Sequence, residues 1–136
     1  MREIEFRAKD AVTNGWRYGD LLRKWGQTRS NNGNTSTLIC GIITDENGET
    51  WNESNVVKPE TIGQYIGKKD KNGVKIFTGD IIKFSGGGVW SVYYCEDSSM
   101  FRLRNGGLTC CVTDGKLYSI IGNTTDNPEL LETAHA

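Results

Sequence analysis

With 136 residues and a hydrophobic fraction of 36%, the chain suits one domain or two small subdomains sharing a core. Seventeen Gly against two Pro imply many tight turns, which β-structure needs and helical bundles do not. A net charge of −1 removes any whole-molecule argument for nucleic acid or an anionic membrane.

Arg2–Ala8 alternates Ile4, Phe6 and Ala8 with charged neighbours, the period of a half-buried strand. Asp10–Gly15 reads as a turn and Trp16–Leu22 as a second strand. Gln27–Ser36 is a polar loop rich in Asn, Ser, Thr and Gly. Thr37–Thr44 is a third strand, and Asp45-Glu46-Asn47-Gly48 signals a hairpin into Glu49–Trp51. Past the connection Asn52–Pro59, Thr61–Ile66 and Val74–Phe77 flank Asp70-Lys71-Asn72-Gly73, where Asn72 and Gly73 are expected to supply positive φ angles. Gly79-Asp80 opens Ile81–Ser85, and Gly86-Gly87-Gly88 reverses the chain into Val89–Cys95. Met100–Arg104, Leu108–Val112 and Lys116–Ile121 complete a run of short strands. Asn127 is placed to cap one helical turn, with Pro128 at its first position and Leu130 and Leu131 docking back.

Short strands at this spacing predict a mainly β protein. The expected division is an N-terminal β-layer over residues 1–57 and a small SH3-like barrel over residues 58–136, ending in a short C-terminal helical turn. No segment is apolar enough to span a bilayer and no signal peptide precedes the first strand, so the expected setting is the cytoplasm, without membrane contact. Cys40, Cys95, Cys110 and Cys111 match neither a zinc ribbon nor a redox pair, and reduced thiols are expected. Cys110 and Cys111 are adjacent, so a strand would send them to opposite faces.

Reactive centres are hard to build from this chain. Its one histidine, His135, is the penultimate residue, which leaves no Ser-His-Asp, Cys-His or His-metal arrangement at a plausible site. Read as a calcium loop from Asp70, the required Gly and bidentate Glu fall on Lys75 and Ile81. Gly86–Gly88 leads into a strand, not into the Lys-Ser/Thr and helix of a nucleotide loop. Glu96, Asp97 and Asp114 read as solvated turn acids. A non-catalytic protein without cofactor or metal is therefore expected.

Val57–Ile82 reads VKPETIGQYIGKKDKNGVKIFTGDII. Gly63, Gln64, Tyr65, Gly67, Asp70, Gly73, Ile76, Phe77, Gly79, Asp80 and Ile81 match the hallmark stretch of YopX-like proteins. Ile4–Asp10 is similar to that family's opening F-R-A-W-D element, and Ile120–Asn123 with Asn127–Leu131 to its closing I-G-N…N-P-E-L-L element. Lys9, Ile66 and Thr78 depart from the usual Trp, Thr and Glu. The resemblance implies a phage or prophage origin, an all-β fold with an SH3-like barrel, and homo-oligomerisation; it implies no established activity. The motif also has a physical reading of its own. Gly67, Gly73 and Gly79 recur where a hairpin enters, turns and leaves, while Asp70 and Asp80 can accept backbone N–H groups two or three residues on.

Two binding readings remain. Lys68, Lys69, Lys71 and Lys75 cluster on one hairpin with Tyr65, and Phe77 and Trp90 lie nearby in sequence, the ingredients of a basic groove with stacking platforms for nucleic acid. Lysines beside a hairpin also keep it soluble and deter edge pairing. The other reading is self-association or an unidentified protein partner. Trp16, Trp25 and Trp51 lie in a region otherwise too polar to bury them, and aromatics of that kind favour interfaces. Charge alternates too: residues 31–57 hold four acids and no base, whereas 58–83 hold six Lys against three acids. Such blocks suit either paired surfaces within a fold or contacts between copies.

Overall fold

A computed structural model describes residues 3–25, 35–44, 46–48 and 50–134, and the side chains of residues 3–21, 46–48 and 55–131. The polar run 27–36 falls mostly outside the described residues, as does His135. The protein is mainly β and divides into two compact units, residues 4–64 and residues 1–3 with 65–136.

In the unit of residues 4–64, β1 (Phe6–Lys9), β2 (Trp16–Trp25), β3 (Thr35–Thr44) and β4 (Thr50–Val56) form antiparallel neighbours in the order β4-β3-β2-β1. The far side of β1 pairs with the start of β5 (Gly63–Lys69), Phe6 opposite Gln64 and Arg7 opposite Gly63. Ala8 and Val57 are buried in a small core with Phe6, Leu21 and Ile62 packed on it. The opposite, charged face of β1 is buried as well. Arg7 and Lys9 are each 8% exposed, and their cations lie 4.7 and 4.8 Å from the centre of the Trp16 ring. Cation–π contact lets the strand shelter two charges beside an aromatic plane. Asp10 ends β1: its carboxylate accepts the N–H groups of Val12 and Thr13 and the Nε–H of Arg17.

The division falls inside β5 because this strand first pairs with β1 and then, from Tyr65 on, with β6 (Lys75–Phe77). Gly67, at φ +88°, sits within the register shift between Tyr65 and Lys69, as a bulge requires. In the turn that follows, Gly73 has φ +79° but Asn72 does not join it in the left-handed region. One glycine suffices, because Asp70 braces the turn: its main chain bonds Val74 and Gly73 while its carboxylate takes the N–H groups of Asn72 and Val74.

Next come β7 (Asp80–Phe84), β8 (Val89–Cys95), β9 (Met100–Asn105), β10 (Leu108–Cys111) and β11 (Tyr118–Asn123), an antiparallel sheet in the order β10-β9-β8-β7-β11. Ile66, Ile76, Ile82, Val92, Leu103 and Tyr118 form its buried core. Each aliphatic side chain buried there contributes about 1.5–3 kcal/mol relative to exposure. Cys110 packs on this core and Cys111 is exposed, so the two thiols do face opposite ways.

The expected SH3-like barrel is not closed. The sheet ends at β10 and β11, because the outer edge of β11 is already occupied: Ile120 donates to Asp70 Oδ2, and the Tyr118 carbonyl accepts from Lys71. At the C-terminus, α1 (Glu129–Ala134) is the expected short helix, but Asn127 does not cap it through its side chain. Its Oδ1 turns back to the Asn123 N–H, and its main-chain oxygen accepts from Leu130.

Tyr118 is wholly buried, edge-on to Phe84, with its hydroxyl accepting the Thr113 N–H at 2.7 Å and bonded to Thr113 Oγ1 at 2.6 Å. Tyr118→Phe keeps the ring and orphans a part-buried N–H. A loss of about 1–1.5 kcal/mol is expected, read from urea unfolding midpoints at unchanged slope.

Candidate functional site

The hairpin β5–β6 leaves the core at Gly67, so Lys68, Lys69 and Lys71 stand exposed where Tyr65 and Ile66 were buried. A second segment meets them. Gly115–Leu117 make a short 3-10 turn, capped by Asp114, whose Oδ1 accepts the Lys116 N–H at 3.0 Å. Gly115 is buried against the Lys69 carbonyl, so closely that a Cβ would overlap that oxygen. This approach sets Lys116 beside the hairpin lysines.

The result is a cleft of about 680 Å³ lined by Lys68, Lys69, Lys71 and Lys116 together with Asp114 and part of Tyr65. None of the four ammonium groups is in an ion pair among the described residues. The one buried carboxylate in the wall, Asp70, is spent on the N–H groups of Asn72, Val74 and Ile120. Burial alone would push the Asp70 carboxyl up; these three donors and the Lys71 charge outweigh it and hold it below the usual carboxylate range. Asp70 therefore stays ionised while organising backbone, and the cleft presents positive charge to solvent.

The other residues singled out from the sequence lie elsewhere. Lys75 does not line the cleft; its Nζ is 2.8 Å from Glu3 Oε1 and 5.3 Å from the Tyr65 ring centre. Tyr65 is 5% exposed and packs on Phe77, and Trp90 packs edge-on to Phe84. Tyr65 and Phe77 are buried, and half-buried Trp90 does not line the cleft, so the cleft offers point charges without an open stacking platform. Trp16 lies against Arg7 and Lys9, while the side chains of Trp25 and Trp51 lie outside the described residues. Lys116 was not singled out, because no local pattern places it beside a hairpin so far along the chain.

The motif residues shape this corner. Gly67, Gly73 and Gly79 have φ of +88°, +79° and +90°. Asp80, 1% exposed, reaches backwards to the Phe77 N–H rather than forwards into its own strand, closing the turn between β6 and β7. The family model described as YopX protein matches residues 5–132.

The chain belongs to the YopX family. Among solved structures, a crystal structure of protein EF1440 from Enterococcus faecalis is similar at a TM-score of 0.55 and 25% identity, covering 96% of this chain and 99% of that one. No curated protein matches. In this YopX chain the hallmark Gly63, Gln64, Tyr65, Gly67, Asp70, Gly73, Gly79 and Asp80 act as backbone-shaping and core residues. The lysines of the cleft are carried on the frame they build.

Proposed function

We propose that this YopX chain is a non-catalytic accessory protein of phage or prophage origin, acting in the bacterial cytoplasm, that holds nucleic acid by its phosphate backbone. The observation carrying this reading is the meeting of Lys68, Lys69, Lys71 and Lys116 in one cleft, none of them ion-paired among the described residues. Phosphates release counterions when lysines neutralise them, so affinity falls with a salt slope of about 0.9 per contact on duplex DNA and about 0.7 on single strands. With buried rings, the grip is on backbone and not on bases.

The test is fluorescence anisotropy with labelled single-stranded and duplex DNA. Four contacts give an expected loss in duplex affinity of about a hundredfold between about 50 and 200 mM salt. The combined variant Lys68→Ala, Lys69→Ala, Lys71→Ala, Lys116→Ala is expected to abolish binding while its thermal midpoint stays close to wild type, since all four side chains are exposed. No binding of either DNA at about 50 mM salt ends this reading.

Self-association is the second reading. It is favoured by Val12, Tyr18 and Val56, which are 91%, 52% and 49% exposed in the unit of residues 4–64. That unit also carries the Trp16, Trp25 and Trp51 set. A strict monomer by light scattering at high concentration would remove it.

A further inference from the structure

The two edges of the five-stranded sheet differ. On β11, Asp70 and Lys71 engage the backbone of Ile120 and Tyr118. On β10 no such cover exists among the described residues. Asn105 and Leu108 pair across a two-residue turn whose first residue, Gly106, has φ +59°. Such a turn makes its flanking residues a hydrogen-bonded pair, and bonding alternates from there. Thr109 and Cys111, opposite Arg104 and Arg102, therefore point their N–H and C=O groups away from the sheet.

A second observation lies at the same edge. The Arg102 guanidinium reaches over β10 and meets only soft or neutral acceptors: Thr109 Oγ1 at 3.5 Å, Cys111 Sγ at 3.7 Å and Met100 Sδ at 3.9 Å. Arg104 lies 4.3 Å from the centre of the Tyr93 ring. Neither arginine is in an ion pair among the described residues. A guanidinium is built for bidentate contact with an oxyanion, and contacts this long leave that capacity unused.

We propose that β10 accepts an extended acidic peptide of a partner protein as an added strand, a carboxylate of which meets the Arg102 guanidinium that already reaches over β10. Edge backbone supplies affinity and Arg102 supplies selectivity. A nucleic acid fits less well, because it has no strand backbone to offer Thr109 and Cys111, and Arg104 already covers the Tyr93 ring. A second copy fits less well too: β10 pairing with its own twin would gather both pairs of arginines on one face, where like charges repel.

The test uses the full chain and a labelled peptide alternating Glu with Thr, beside a counterpart carrying Lys for Glu. The Glu peptide is expected to bind, to protect the Thr109 and Cys111 amides from hydrogen exchange, and to lose about tenfold or more on Arg102→Glu. Thr109→Pro removes only an outward N–H, which an edge strand tolerates, and is expected to abolish binding at an unchanged thermal midpoint. Arg102→Glu keeps the proposal testable if the proline variant fails to fold. Equal binding of the Lys peptide, unaltered affinity in Arg102→Glu, or no binding of the Glu peptide would overturn it. So would burial of β10 in a dimer, or loss of DNA binding on Arg102→Glu with the peptide silent.

Discussion

Asp70→Ala is expected to destabilise the unit of residues 65–136 by about 3–5 kcal/mol, because it removes the charged acceptor of three part-buried backbone donors at once. The carboxylate accepts Asn72 N–H at 2.8 Å, Val74 N–H at 2.9 Å and Ile120 N–H at 3.2 Å, and is 5% exposed. Two of these bonds close the β5–β6 turn. The third ties that turn to β11, fifty residues along the chain. Alanine leaves all three N–H groups without their charged acceptor, and the turn loses both its closure and its tie to β11. Thermal and urea unfolding read the loss; a change under about 1 kcal/mol would show that the carboxylate is not the tie described.

The same residue sets a pH signature. Its folded-state pKa lies below the ordinary 3.8, since the N–H donors of Val74, Ile120 and Asn72 and the Lys71 charge outweigh the upward push of burial. The unfolded chain thus binds the proton more tightly than the folded one. The stabilisation is complete above pH 3.8 and is lost as pH falls through the lower folded value. Asp70→Asn is expected to be less stable than wild type near neutrality and to show a shallower decline in acid. Parallel acid titrations of the two proteins check it.

Gly115→Ala is the second large effect. Gly115 has an ordinary backbone conformation, so a side chain meets no dihedral penalty there. The obstacle is space: the added Cβ would overlap the Lys69 carbonyl oxygen, with the Lys68 Cβ at 3.5 Å behind it. A backbone oxygen cannot swing aside as a side-chain tip can. Either β5 or the 114–117 turn must shift, at an expected cost of about 3 kcal/mol. Because that contact also places Lys116 beside Lys68 and Lys69, the variant is expected to weaken DNA binding although every lysine is retained. Thermal unfolding and anisotropy on the same sample check both effects. Wild-type stability with wild-type affinity would mean that the close approach is not what assembles the cleft.

Much of the hairpin's form was legible in the residues. Gly67, Gly73 and Gly79 mark positive φ because only a missing side chain makes that conformation cheap. The Asp70 cap was readable for the same reason, since a short carboxylate before a turn reaches nearby N–H groups. Alternation in β1 was readable but misleading about exposure: its charged face is buried under Trp16, a pairing set by the register of β1 on β2.

What could not be read locally were decisions made by one distant segment upon another. Asp80 turns back to Phe77 instead of forward, and Asn127 back to Asn123, because each finds its nearest unsatisfied donor in the folded chain behind it. Tyr65 looks like a stacking platform in the sequence, yet packing on Phe77 buries it.

Turn chemistry and strand period belong to a few consecutive residues, whose φ preferences and side-chain reach are written in their identities. The unclosed sheet, the arrival of Lys116 at the hairpin and the bare edge of β10 were settled only when strands paired. Each depends on which backbone groups remain after neighbours have taken the rest, and that remainder is a property of the whole fold.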